Sequence, residues 1–125
     1  MNEIISFEIP GEPRTKKNSQ RIFLNGNKRF IAPSAAYKEY EEYAGYFVPR
    51  LGINEPINLK VIYYMGTRRR VDLCNLLEAT CDILTRAGTI RDDSSNIVKA
   101  HDGSRVLYDK KNPRCEVIIE RWVDD

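Results

Sequence analysis

The chain has 125 residues, of which 42% are hydrophobic and 30% charged, so its size and composition suit one soluble domain, which we expect to span residues 1–125. No apolar run approaches the roughly 20 residues of a membrane span, and the N-terminus lacks the basic start and apolar stretch of a secretion signal, so we expect a cytoplasmic protein. A net charge of +2 does not by itself indicate nucleic-acid binding, and three cysteines without a CxxC pair argue against a disulfide framework and a zinc site.

The N-terminal part of the sequence predicts a strand and then a hairpin. Glu3 to Ile9 is rich in Ile and Phe and ends at the rigid segment Pro10-Gly11-Glu12-Pro13, which indicates a strand followed by a loop. Arg21 to Ile31 contains Asn25-Gly26, a pair typical of a tight hairpin turn.

A first helix is predicted after Ser34, which can cap it, and it continues until Pro49. Tyrosines recur along it at helical spacing, at positions 37, 40, 43 and 46. Such tyrosines can form a platform for stacking bases, but packing against a sheet is the commoner use of this spacing, and we favour it here.

The C-terminal part predicts a strand, a second helix and two more strands. Ile57 to Met65 alternates in hydrophobicity and stops at Gly66. Asp72 to Arg86 has helical periodicity, with Gly88 just beyond it as a C-terminal cap. Ile97 to His101 and Cys115 to Val123 are the further strands. These elements predict an α/β fold with a small mixed sheet and two helices.

The second helix carries a polar stripe with three acids. At roughly 100° per residue, five side chains fall within about 120° of one another: Asp72, Asn75, Glu78, Asp82 and Arg86. Any amphipathic helix has a polar face, so a solvated surface is the ordinary interpretation. A merely solvated face would not favour three acids with only one arginine to offset them, because like charges one turn apart destabilise a helix.

The loop after this helix adds Asp92 and Asp93. We expect it to return toward the strand 57–65 and the first turn of the helix, so that acids distant in sequence meet. Magnesium prefers oxygen ligands and commonly takes one or two carboxylates, with water and phosphate completing its shell. A metal site is thus one hypothesis, and a solvated acidic turn is the other.

Basic residues lie next to these acids in the sequence. Arg68, Arg69 and Arg70 directly precede the helix, and residues 14–29 hold further cations without an acid, among them Lys16, Lys17 and Arg21. These six side chains are candidate phosphate contacts, although solvated surface explains many such clusters. The single histidine, His101, is expected at a turn or on the surface rather than as a general base.

The segment from Arg68 to Asp93 resembles the core of the RusA family of Holliday junction resolvases, and Gly11-Glu12-Pro13-Arg14-Thr15-Lys16 is similar to a Gly-x-Pro-x-x-Lys element near the start of that family. The resemblance implies a phage- or prophage-associated homodimer that cuts four-way DNA junctions with magnesium, or with manganese in its place. It implies no organic cofactor and no membrane partner.

The resemblance also implies roles for individual residues. Asp72 matches the first aspartate of the family's Asp-x-Asp-Asn motif and Asn75 its asparagine, while Asp82 matches an acid on the same helix and Asp92-Asp93 the family's acidic pair. Asp72 and Asp93 are therefore the strongest candidates for metal ligands, Asp82 is a candidate catalytic acid, and Asn75 and Asp92 have supporting roles.

Two positions depart from the family pattern: Cys74 replaces the second aspartate, and Glu78 stands where a lysine is common. A thiol is a poor ligand for a hard cation, so we hypothesise that Glu78 supplies the missing catalytic carboxylate and binds the metal. The alternatives are a non-catalytic junction-binding protein and a nuclease of the same chemistry that acts on flaps or other branches.

Overall fold

A computed structural model describes residues 2–16, 20–25, 28–33 and 35–124, with backbone alone for 20–25 and 28–33. Within these ranges the elements follow in the order β1 (Glu3–Pro10), β2 (Gln20–Asn25), β3 (Lys28–Pro33), α1 (Ala35–Gly45), β4 (Ile57–Met65), α2 (Leu73–Ala87), β5 (Val98–Ala100), β6 (Arg105–Tyr108) and β7 (Arg114–Arg121).

Strand β4 lies at the centre of a five-stranded mixed sheet. It pairs antiparallel with β7, which in turn pairs antiparallel with β1. On its other side β4 pairs in parallel with β5 near Ile57 and with β6 from Ile62 to Met65. Strands β2 and β3 form a separate antiparallel hairpin. A small mixed sheet with two helices confirms the predicted fold class.

The core lies between the central strands and α2. Leu59 and Val61 of β4, and Val117 of β7, are fully buried together with Leu76 and Leu84 of α2. The apolar stripe predicted for α2 is therefore the side that packs against the sheet, because burying it removes apolar surface from water. The polar stripe faces away from this core.

Both ends of α2 follow the sequence signals. Asp72 is the N-cap residue in an extended conformation, and its side chain makes no capping hydrogen bond. Gly88 is the C-cap with φ of 78°, a left-handed conformation that favours glycine, and its N–H donates to the carbonyl oxygens of Leu84 and Thr85. The helix starts one residue after the predicted start, which lies within the usual uncertainty of helix ends.

Between the parts of β4 that pair with β5 and β6, side chains rather than a neighbouring strand bond to that edge of the β4 backbone. The Val61 N–H donates to Ser104 Oγ at 3.0 Å, and His101 Nδ1 lies 2.9 Å from the Leu59 carbonyl oxygen. His101, expected at a turn or on the surface, is half-buried and joined to the central strand. Strand β6 was not predicted, because its four residues are too few to establish a period of two.

The tyrosines of α1 divide between core and surface. Tyr37 is buried and Tyr40 packs against the core, as predicted, whereas Tyr43 and Tyr46 are 41% and 81% exposed. The strands of the predicted hairpin are present, but the turn at Gly26 and the cap at Ser34 lie outside the described residues. Within the described ranges, no helix combines the length and apolar character needed to cross a bilayer.

Candidate active site

Three consecutive arginines occupy the loop that joins β4 to α2, here called the arginine loop (Thr67–Arg70). All three side chains are exposed. The Arg68 guanidinium carbon lies 4.0 Å from the centre of the Tyr108 ring. Together with the end of β6 the loop forms an open depression of about 480 Å³, here called the arginine pocket, lined by Met65, Thr67, Arg68, Arg69, Arg70, Val71, Val106, Leu107 and Tyr108.

The start of the arginine loop is attached to the N-terminal segment through Glu12. The Gly66 N–H donates to Glu12 Oε2 at 2.7 Å, and Arg69 lies 3.7 Å from the other carboxylate oxygen. Glu12 thereby holds both the loop backbone and one of its cations. The sequence did not reveal this role, because the partners are more than 50 positions apart.

Three of the predicted acids gather beside the middle of α2. Glu78 and Asp93 are exposed and Asp82 is half-exposed. Burial, followed by the negative charges of Asp93, Asp82 and Glu78 in that order, raises the pKa of the Cys81 thiol to about 12. All three carboxylates are thus close enough to Cys81 to act on it electrostatically. The loop acid Asp93 and the helix acids Asp82 and Glu78 therefore share the neighbourhood of Cys81, but they form no metal-binding group among the described residues.

Lys16 forms an ion pair with Asp82. Both line a depression of about 240 Å³ together with Asp93, Thr85, Glu41 and Arg86. Lys16, predicted as a phosphate contact, therefore contacts an acid of the stripe. Arg86, the cation expected to offset that stripe, instead donates to Glu41 at 2.6 Å. Lys17 and the side chain of Arg21 lie outside the described residues.

The loop carrying Asp93 runs beside the C-terminal half of α2 rather than returning to its first turn. The chain has only a few residues after Gly88 before Asp93, and Ile90 is held there by a bridge to Ile53. The Arg91 N–H also donates to the Ile53 carbonyl oxygen at 2.9 Å. These bonds keep the loop close to the end of the helix that it follows.

The other predicted site residues, Asp72, Asn75 and Asp92, lie outside the neighbourhood of Cys81 described above. Asp72, at the start of α2, accepts a 3.4 Å hydrogen bond from Asn75. Ten residues separate it from Asp82, which is about 15 Å of helical rise. Asp92 accepts a hydrogen bond from the Ser94 N–H at 2.7 Å, and this bond lowers its pKa. Asp92 therefore shapes the turn that presents Asp93.

Among the residues that the structure describes, no three His, Cys, Asp or Glu side chains form a group that could hold a metal ion. Cys74 is exposed on the first turn of α2 and its thiol is free. Its sulfur is the wrong donor for a hard cation, whereas the carboxylate oxygens of Glu78 and Asp93 are the right ones. Carboxylates placed in this way could hold a hard divalent cation only through few protein ligands, with water and phosphate supplying the rest.

Comparison with known proteins gives one assignment. No curated protein matches the chain significantly. A family model described as Endodeoxyribonuclease RusA matches residues 10–120, a span that contains Glu12, the arginine loop, all of α2 and the Asp92-Asp93 turn. The match extends over far more than half of the 125 residues. The chain therefore belongs to the RusA family of endodeoxyribonucleases.

Proposed function

We propose that this protein is a magnesium-dependent endonuclease that resolves four-way DNA junctions as a homodimer. The proposal rests chiefly on the direct succession of the exposed arginine loop and the acid-bearing helix α2 within a chain of the RusA family. Cations at the start of the helix can hold phosphates, while acids further along it can hold a cation. A four-way junction has two-fold symmetry, so a symmetric dimer would present one site to each of two strands.

Glu78, Asp93 and Asp72 are the carboxylates that we propose as metal ligands. Glu78 and Asp93 are exposed, and among the described side chains no cation pairs with either of them. Asp72 lies six residues before Glu78, about 9 Å of helical rise, and the Asp93 loop lies beside the other half of the helix. We therefore propose that Asp72 joins the other two ligands across the dimer, from the second copy. Such ligands leave room for water and a substrate phosphate.

Asp82 has a different role in this proposal: it supports the site without binding the metal. Its ion pair with Lys16 partly neutralises it and attaches the N-terminal segment to α2 beside Asp93. Asp82 would then support the site by keeping Lys16 near the reacting phosphate, where the ammonium group can stabilise developing negative charge. Its distance along the helix from Asp72 argues against both residues binding the same ion in one chain.

A bound divalent ion would supply Lewis-acid polarisation of the phosphodiester and a more acidic water molecule. The protein side chains have the remaining tasks. Arg68, Arg69 and Arg70 would fix the DNA backbone through charge-assisted hydrogen bonds. The carboxylates of Glu78 and Asp93 would orient the attacking water by accepting its hydrogen bonds.

Replacing Glu78 by glutamine tests the proposal, because it removes the charge while nearly preserving the shape. We expect Glu78→Gln to lower junction cleavage in magnesium by at least 100-fold, in line with the loss of one metal-positioning or proton-transfer group. Binding of the same junction in EDTA should be unchanged. Cleavage is measured with a synthetic, labelled four-way junction and binding by gel shift.

Glu39→Gln is the matched control, since Glu39 is an exposed glutamate on α1 that lines neither the depression at Lys16 and Asp82 nor the arginine pocket. It should cleave at the wild-type rate. Full activity of Glu78→Gln would refute the proposed role of Glu78. A panel of flap and three-way substrates, cut with the same enzyme, would show whether four-way junctions are preferred.

A second function is favoured by the exposed thiol of Cys74 at the position of a family carboxylate. Without that carboxylate the chain could bind junctions without cutting them. In that case the wild-type protein would bind the four-way junction in EDTA but cleave it in neither magnesium nor manganese. Binding of one four-way junction in EDTA and its cleavage with added divalent ions therefore distinguish the two functions.

A further inference from the structure

The arginine pocket combines positive charge with an exposed apolar surface. Three arginines line it, and its other described lining residues include no carboxylate. Leu107 and Tyr108 are 42% and 39% exposed at its border. Phosphates need the cations but gain little from an aromatic ring beside them. The pocket therefore has exposed apolar and aromatic surface that phosphate binding alone does not require.

Tyr108 is firmly positioned although its ring is partly exposed. Its backbone pairs with Met65 at the end of β4, and the next residue, Asp109, donates its N–H to the Met65 carbonyl oxygen at 2.9 Å. Asp109 is held in turn by Arg114 at 3.0 Å. A ring on such a fixed backbone loses little conformational entropy when a ligand stacks on it.

The contact between Arg68 and Tyr108 suggests how the pocket would be used. The guanidinium group lies over the ring at 4.0 Å, where the two attract through a cation–π interaction. An incoming phosphate competes for the guanidinium, since a charge-assisted hydrogen bond is the stronger contact. Movement of Arg68 toward phosphate would expose the ring face to a planar apolar group.

From this arrangement we infer that the arginine pocket binds an unpaired DNA base, which stacks on Tyr108 while the arginines hold the adjoining phosphates. The inference rests on the proposed function, because a branch point is where a junction can release a base from its stack. A base combines a planar face with neighbouring anions, and this combination matches the ring, Leu107 and the arginines better than phosphate alone. Stacking of this kind tolerates any base sequence.

The test compares two synthetic four-way junctions of equal length, one fully paired and one with a single unpaired thymine at the crossover. Binding is measured by fluorescence anisotropy in EDTA, so the readout does not depend on cleavage. We expect the wild-type protein to bind the junction with the unpaired base about tenfold more tightly, which is within the range for one stacked base. Tyr108→Ala should bind both junctions equally, and Tyr108→Phe should retain the preference.

Arg105→Ala is the matched control. Arg105 is an exposed cation on the same strand but does not line the pocket, so its loss should weaken binding of both junctions alike. If Tyr108→Ala fails to fold, as judged by circular dichroism, Tyr108→Leu retains an apolar side chain on β6 and should also lose the preference.

The inference is overturned if the wild-type protein binds both junctions equally, if Tyr108→Ala retains the preference, or if Arg105→Ala abolishes it. Magnesium-dependent cleavage together with equal binding would overturn only this inference and leave the proposed nuclease intact. Failure to bind either junction would overturn both.

Discussion

Gly66, at the start of the arginine loop, lies against both the N-terminal segment and the β6–β7 turn. A Cβ atom there would lie 2.7 Å from Glu12 Oε2 and 2.8 Å from Pro113 Cγ. Both distances are far below van der Waals contact. The absence of a side chain at this position therefore permits the hydrogen bond between the Gly66 N–H and Glu12.

Gly66→Ala should destabilise the protein by about 1–3 kcal/mol, the usual effect of forcing extra volume into a packed site. Urea unfolding followed by circular dichroism measures the change. Gly45→Ala provides the comparison, since a Cβ there meets no atom within 4 Å and its φ is not positive. That variant should be neutral or up to about 1 kcal/mol more stable, because alanine loses less backbone entropy in a helix. Equal effects at the two positions would contradict this account of Gly66.

At the scale of elements, α2 is attached to the sheet by a buried polar contact as well as by apolar packing. Tyr63 Oη lies 2.6 Å from Thr80 Oγ1, and Thr80 donates to the Leu76 carbonyl oxygen at 3.0 Å. Because the threonine proton is used in that second bond, the tyrosine must donate to the threonine. The position of the acid stripe relative to β4 depends partly on this pair.

Thr80→Val should lower the free energy of unfolding by about 1–3 kcal/mol, because it leaves the Tyr63 hydroxyl buried without its acceptor. The double variant Tyr63→Phe/Thr80→Val should recover part of the loss, since neither polar group then remains. Chemical denaturation of the single and double variants gives the coupling energy. A double variant whose loss is the sum of the two single losses would show that the hydroxyls do not depend on each other.

The elements differ in how far the sequence determines them. The boundaries of α2 were predictable because its apolar period, Asp72 and Gly88 are all local signals. Strand β6 was not, since its position follows from pairing with β4 rather than from its own four residues. For the same reason the sequence indicated which residues form the acid stripe, but not the pairing of Asp82 with Lys16, which is 66 positions away.

For the molecule as a whole, buried thiols link stability to alkaline pH. Burial raises the pKa of both Cys81 and Cys115 from 9.0 to about 12. The folded state therefore keeps both thiols protonated between pH 9 and 12, whereas the unfolded state ionises them. Their contribution to stability is complete below pH 9 and is lost as the pH rises toward 12.

Urea midpoints measured at pH 8, 9 and 10 should therefore decrease above pH 9. Each thiol contributes at most about 1.4 kcal/mol per pH unit there. Cys81→Ala should show a shallower decrease, because one of the two ionising groups has been removed. A midpoint that stays constant from pH 8 to pH 10 would rule out buried, protonated thiols at these positions.

In the proposed site, the continuity of the arginine loop with α2 would also set where a substrate strand is cut. From the helix start to Glu78 the axial rise is about 9 Å, and one strand of B-form DNA advances about 3.4 Å per nucleotide. The scissile bond and the anchored backbone oxygens should then lie about three nucleotides apart on the same strand. Because this offset would follow from the rise of one rigid helix, we expect it to be the same for every junction that is cut, whatever its base sequence.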